Sequence, residues 1–290
     1  MIKNKKNELQ KFAITLPGFM LYLFFFIVPL IMGILYSLYE WNGISREKVY
    51  IGLSNYTRLL TDIRFTSSLS FTLYYTFLLV FMTIFIGILL ALLLNTGVKG
   101  QNLFRTVFFF PAVLSLITVG LIWNEIFYRA IPSIGNSLQI VFLSKNILSN
   151  ITYAKYGILF VNLWQGVSIP TVLFLASLQS VPGELYESAR MDGANAFQSF
   201  ARITLPFLFP MISLVTVLTL RNGLTTFDYV KAMTDGGPGG STETVGLLVY
   251  NKAFLELEYS YAITQSTVLF VIVAIVSAIQ FTLIKRRSEV

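Results

Sequence analysis

Two stripes of neutral polar residues hold most of the chemistry that this 290-residue chain carries inside its apolar segments. Asn162, Gln165, Gly166 and Ile169 follow an i, i+3, i+4, i+7 spacing, and Thr219, Asn222, Gly223 and Thr226 repeat the same spacing. Such spacing puts each set on one helix face. Amides and hydroxyls both donate and accept hydrogen bonds, and glycines leave room, so two facing stripes suit a hydroxyl-rich solute. The same residue types also join helices in membranes, where small side chains let backbones approach and amides bond across. On spacing alone both readings stand.

Covalent chemistry has little to work with. The chain has no histidine and no cysteine, which removes the commonest general base, the commonest metal ligand and all thiol chemistry. No residue is assigned to catalysis or to a metal. No G-x-x-x-x-G-K-[ST] loop occurs, so the chain does not hydrolyse nucleotide through a P-loop and binds no cofactor of its own. The glycine-rich "DGGPGG" (Asp235–Gly240) lacks the lysine, and Pro238 removes a backbone donor, so it reads as a cluster of turns. Charges within the apolar runs are few. Glu125 and Arg221 lie near the ends of theirs, and Arg221 could meet an anionic group or serve a structural ion pair. Proton-coupled carriers carry chains of buried Asp, Glu or His, which this sequence lacks, whereas a passive channel stays open on this ground.

The elements that must position these residues are membrane helices. The chain is 55% hydrophobic and 12% charged, where a soluble domain carries about 25% charged residues. Six runs, at about 17–39, 69–94, 106–128, 156–179, 206–227 and 261–284, are long and apolar enough to cross a bilayer. The fold class expected is therefore an all-α membrane protein, a single domain over residues 1–290. An even number of spans puts both termini on one side. Lys3, Lys5, Lys6 and Lys11 at one end, and Lys285, Arg286 and Arg287 at the other, place that side in the cytoplasm. The net charge of +7 sits largely in such flanks and does not indicate nucleic acid. The first apolar run is too long for a secretory signal and lacks a following cleavage site, so it reads as an uncleaved span. Tyr50–Phe65 has near-helical apolar spacing and reads equally as an interfacial helix or a loop.

One polar segment interrupts the spans for no transmembrane purpose: "YESARMDGANAFQSFARITLP", Tyr186–Pro206. Drawn as one helix over 185–200, it puts Tyr186, Ala189, Gly193, Ala196, Phe197 and Phe200 on a single stripe. Helices that lie on a bilayer carry Lys and Arg on their polar face. This one has Glu187, Asp192 and a single Arg190, so a protein partner explains it better. Gly193 in the stripe costs about 1 kcal/mol against Ala, which a bend or a close backbone approach would justify.

Glu187-Ser188-Ala189, then Gly193, then Ile203-x-Leu205-Pro206 resembles the E-A-A-x-x-x-G-x9-I-x-L-P loop of permease subunits of type I ABC importers. Ser188 stands where that family usually has alanine. "VPGELYESARMDGA", "ITLPFLFP" and "FDYVKAMTDGGPGGST" (Phe227–Thr242) resemble its carbohydrate-uptake branch, the maltose and multiple-sugar permeases. The resemblance implies six spans and a cytoplasmic coupling helix within 180–206. It implies a second, homologous permease subunit, two cytoplasmic ATPase subunits that hold ATP and Mg, and an extracytoplasmic sugar-binding protein. Glu187, Ser188, Ala189, Asp192, Gly193 and Ala194 would then dock the ATPase. The two polar stripes would line the path of a carbohydrate, most simply an oligosaccharide. A polyol, glycerol phosphate or peptide stays open as the solute.

Overall fold

The computed structural model describes residues 5–95 and 109–288. Its helices are α1 (Lys5–Tyr22), α2 (Val28–Tyr36), α3 (Ser54–Thr61), α4 (Ile63–Asn95), α5 (Leu116–Glu125), α6 (Ile131–Ser137), α7 (Ala154–Gly166), α8 (Ser168–Gln179), α9 (Gly183–Met191), α10 (Ala196–Ser199), α11 (Leu205–Leu224), α12 (Asp228–Met233), α13 (Val245–Tyr250) and α14 (Tyr259–Ser288). Among the described residues the sheet content is one antiparallel hairpin, β1 (Tyr39–Glu40) with β2 (Val49–Tyr50).

Four helical runs are long and apolar enough to cross a membrane: Lys11–Tyr36, Ile63–Asn95, Ala196–Leu224 and Tyr259–Gln280. The pair α7 and α8, bent by 48°, is long and apolar enough to make a fifth where the two are taken as one span. The sixth expected run, 106–128, begins in residues outside the described set. Its described part is broken into a 3-10 turn at Phe110–Val113 and the short α5. Pro111 inside that turn has no N–H to continue an α-helical ladder.

Proline accompanies most of the other irregularities. Four wide π turns occur among the described residues, at Leu23–Ile27, Ile126–Ala130, Phe200–Thr204 and Asn251–Leu255. The first three each end two residues before a proline: Pro29, Pro132 and Pro206. A proline cannot bond the carbonyl four residues back and its ring crowds it, so the ladder widens there instead of breaking. Pro170 has the same effect at the α7–α8 bend. It leaves the Gly166 carbonyl without its i+4 donor where the chain turns.

Packing divides the chain into two compact units, residues 1–63 with 249–270, and residues 64–248 with 271–290. In the first, Tyr50–Phe65 resolves in part as the helix α3, held by polar bonds. Asn55 Nδ2 donates to the carbonyls of Ser37 (2.9 Å) and Tyr39 (3.0 Å), and Arg58 pairs with Glu258 at 2.8 Å. In the second, Ala91, Leu94, Phe174, Leu175, Leu178, Leu208 and Val215 form the core between α4, α8 and α11. Gly87 lets α4 approach α8 closely: a Cβ there would stand 3.0 Å from the Phe174 ring.

Candidate functional site

The second unit holds a cavity of about 390 Å³ at the α7–α8 bend. It is built from the polar face of α7, the apolar start of α8, the end of α11 and the segment entering α12. Of the eight stripe residues, seven line it: Asn162, Gln165, Gly166, Ile169, Thr219, Asn222 and Thr226. The bend makes the room. Were α7 and α8 one straight helix, Gly166 and Pro170 would carry a continuous ladder past this point instead of opening beside it.

The hydrogen bonds separate lining residues whose polar groups are already paired within the chain from those that keep capacity toward the cavity. Gln165 is 3% exposed and both ends of its amide are taken. Its Nε2 donates to the Leu114 carbonyl at 2.8 Å, and its Oε1 accepts from the Tyr229 hydroxyl at 2.8 Å. Burial, with the Asp228 carboxylate as a second cause, pushes the Tyr229 hydroxyl up, so it stays protonated and donating. Gln165 is thus a bridge between α7, α12 and the chain before α5. Thr226 turns its hydroxyl back to the Asn222 carbonyl at 2.8 Å.

Gly223 does not line the cavity. A Cβ there would lie 2.8 Å from two Thr76 side-chain atoms and 3.0 Å from Thr76 Cα. It is the contact at which α11 closes on α4, the helix-joining use of glycine.

The amides with capacity left over are Asn162 and Asn222, and the Thr219 hydroxyl also has no hydrogen-bond partner among the described residues. Asn162 Nδ2 donates to the buried Tyr75 hydroxyl at 2.8 Å, which fixes the amide and leaves Oδ1 toward the cavity beside Gly166. Asn222 is exposed and its side chain has no hydrogen-bond partner among the described residues. Apolar walls come from Ile169, Leu173 and Leu218. Sequence reasoning missed Phe227, Asp228 and Tyr229, which close one end of the cavity. Asp228, a charge just past an apolar run, was the one signal available. The Leu114 carbonyl had none, since a backbone acceptor is invisible in side-chain patterns. Trp164 points elsewhere, packing edge-on to Trp123 at 5.5 Å.

The polar loop departs from the single helix drawn over 185–200. α9 stops at Met191, and Gly193 takes φ +76°. The Ala194 N–H then bonds the Ala189 carbonyl (2.9 Å) and the Gly193 N–H the Arg190 carbonyl (3.1 Å). This pair of bonds is the Schellman helix ending, which needs a left-handed residue at that position. Asn195 restarts the chain by a capping box: its Oδ1 accepts from the Gln198 N–H, and Gln198 Oε1 accepts from the Asn195 N–H, both 2.9 Å. The stripe is therefore two short helices joined by a left-handed glycine. Tyr186 anchors the first against Thr204 (2.9 Å).

Between the two helices lies a second hollow of about 350 Å³. Ala189, Asp192, Gly193, Ala194, Gln198 and Arg202 are among its lining residues. Glu187 and Ser188 are exposed on α9, and Glu187 has no ion pair among the described residues. Met191 is 88% exposed and Phe197 77% exposed, so this polar loop also presents two large apolar side chains to its surroundings. Glu125 pairs with Arg129 at 2.6 Å one turn away, which accounts for that carboxylate.

The chain is similar to known proteins over most of its length. A profile of the family described as "binding-protein-dependent transport system inner membrane component" matches residues 83–289. The multiple sugar-binding transport system permease protein MsmF of Streptococcus mutans is 41% identical over 285 residues, covering 98% of each chain. The probable starch degradation products transport system permease protein AmyD of Thermoanaerobacterium thermosulfurigenes is 30% identical over 283 residues, covering 98% of this chain and 96% of that one. Among solved structures, a bacterial ABC transporter involved in the import of the acidic polysaccharide alginate shares the fold. Its TM-score is 0.82 at 22% identity, covering 98% of each chain. With a family match over most of its length and a relative of near-complete coverage, this chain belongs to the binding-protein-dependent transport system inner membrane components, the membrane-embedded permease subunits of ABC importers.

Proposed function

We propose that the chain forms part of the translocation path for a carbohydrate, most simply an oligosaccharide, and that its polar loop couples that path to a separate ATPase. The observation that carries the reading is the cavity at the α7–α8 bend. It combines two amides with spare hydrogen-bonding capacity, Asn162 and Asn222, with apolar walls at Ile169, Leu173 and Leu218. A sugar ring offers hydroxyls at its rim and C–H groups on its faces, and a mixed lining of this kind answers both. Arg221 does not line the cavity and Asp228 does, which disfavours an anionic solute. The names of the 41% and 30% identical relatives, a multiple-sugar permease and a starch-product permease, support the same class.

In this reading the partners are a homologous permease subunit, two ATPase subunits that hold ATP and Mg, and an extracytoplasmic binding protein that delivers the sugar. Both termini and the 180–206 loop face the cytoplasm. Glu187, Ser188, Ala189, Asp192, Gly193 and Ala194 seat in the ATPase. Nucleotide binding draws the ATPases together, moves the loop and opens the cavity away from the cytoplasm. Hydrolysis resets it. The charge that Glu187 presents without an ion pair among the described residues is what a cationic cleft would meet.

The test is uptake by the reconstituted transporter of labelled mono- and oligosaccharides, with Glu187→Lys alongside the wild type. The expected result is saturable uptake of an oligosaccharide. In the variant, the protein is inserted and ATPase activity no longer drives uptake. Transport of none of the sugars would overturn the substrate class, and wild-type uptake by Glu187→Lys at normal expression would overturn the docking.

A further inference from the structure

The "DGGPGG" turn cluster has no part in the function described so far, yet it is one of the most tightly bonded segments of the second unit. Asp235, Gly236, Gly239 and Gly240 all take positive φ, from +48° to +84°. The Thr242 hydroxyl bonds the Gly237 carbonyl at 2.7 Å and the Thr234 hydroxyl at 2.8 Å. The Thr242 N–H returns to the Gly236 carbonyl, and the Glu243 N–H to that of Gly240. Thr242 and Thr244 are fully buried, and Glu243 is 6% exposed. So compact a knot of left-handed residues delivers one carboxylate to one place.

That place is the start of α4. Glu243 accepts from Arg64 through both oxygens, Nε to Oε2 at 2.8 Å and the terminal nitrogen to Oε1 at 2.7 Å. This two-point, charge-assisted geometry fixes direction as well as distance. Two turns along α4 the Thr72 hydroxyl, held against the Ser68 carbonyl, accepts the Val245 N–H at 3.0 Å. The next residue back, Thr244, donates its hydroxyl to the Thr226 carbonyl at 2.8 Å. Thr226 to Tyr229 are cavity lining. At the other end of α12, Asn124 Nδ2 donates to the carbonyls of Ala232 (3.2 Å) and Met233 (3.1 Å), locking α12 to α5. A bonded path thus runs from Arg64 through Glu243 and Thr244 to the wall of the cavity.

We infer that Glu243 is a positioning residue: clamped by Arg64, it sets the Thr226–Tyr229 wall of the cavity through the Thr244–Thr226 bond. The inference rests on the cavity as the solute path only for its consequence for uptake; the placement of the wall is independent of that reading. Glu243 touches no solute. Its carboxylate is the anchor that keeps the glycine turns, and the wall bonded to them, in one register with α4.

The absence of cysteine from the chain allows a direct readout. Thr225 is exposed and lines the cavity. In the assembled transporter in membrane vesicles, the alkylation rate of Thr225→Cys by a small water-soluble maleimide reports how the wall stands. Glu243→Gln keeps the shape and removes the charge. It should change that rate by about tenfold and lower uptake comparably, the size of effect that bonded networks transmit. Ser67→Ala, exposed on the same helix turn as Arg64, should change neither. Glu243→Asp, which keeps the charge, should recover most of the wild-type labelling rate. An unchanged labelling rate in Glu243→Gln overturns the inference whatever uptake does, and so does an equal change in Ser67→Ala. Asn222→Ala run in parallel separates the two claims. If Asn222→Ala leaves uptake unchanged while Glu243→Gln moves the labelling, the solute path is wrong and the positioning stands.

Discussion

Replacing Gly193 by alanine isolates backbone conformation from contact. Gly193 sits at φ +76°, and a Cβ built there would meet nothing within 4 Å. The substitution therefore creates no clash and fills no space within the chain. What remains is the cost of placing an L-residue with a Cβ in the left-handed region, about 1–2 kcal/mol. If the ATPase binds only the turned form of the loop, that cost appears in full as lost docking, between about fivefold and thirtyfold in affinity. Asparagine tolerates this region better than alanine, so Gly193→Asn should lose less than Gly193→Ala, even though its side chain is larger. The assay is binding of purified ATPase subunit to the permease pair in nanodiscs, with the thermal midpoint of the pair measured beside it. An order of loss that follows side-chain size, Asn worse than Ala, would refute the conformational argument and show that the partner touches Cα directly. Wild-type binding by Gly193→Ala would refute the need for the turn.

Three further outcomes follow from the cavity and its supports. Gly223→Ala should lower the thermal midpoint of the protein, because overpacking against the Thr76 backbone costs about 1–3 kcal/mol; equal stability would place Gly223 outside the α4–α11 contact. Asn222→Ala and Asn162→Ala should both slow uptake with ATPase docking intact, and only Asn162→Ala should also destabilise, because it strips the buried Tyr75 hydroxyl of its partner at about 1–3 kcal/mol. Pro170→Ala should slow uptake by returning a donor to the Gly166 carbonyl and straightening the 48° bend, read as reduced solvent labelling of Ile169→Cys.

The apolar runs were legible because length and hydrophobicity are summed over many residues and tolerate local error. Thus 69–94 lies inside Ile63–Asn95, and 206–227 overlaps Ala196–Leu224. What hydropathy does not carry is where a run bends. The reading of 156–179 as one span took Gly166 for the room it leaves and drew nothing from Pro170. A proline acts on the carbonyl four residues earlier, so its effect falls a full turn from where it is written. The same offset hid the π turns before Pro29, Pro132 and Pro206.

The stripes show a second limit of the same kind. Spacing put Asn162, Gln165, Thr219 and Asn222 beside one cavity, and it could do so because helical periodicity is a property of the element alone. It could not divide the stripe into solute-facing and structural members. That division depends on partners elsewhere in the chain: the Leu114 carbonyl and Tyr229 for Gln165, Tyr75 for Asn162, and Thr76 against Gly223. One of these partners is a backbone atom and another is defined only by close approach, so neither has a residue type to recognise. Helix packing and an open cavity lining are accordingly both found on one stripe here. Gln165 is held at both ends so that the helix bearing Asn162 is fixed, and Gly223 lets α11 close on α4, which carries the Tyr75 that orients the Asn162 amide. The residues that join the helices are what give the two unspent amides a defined place in the cavity.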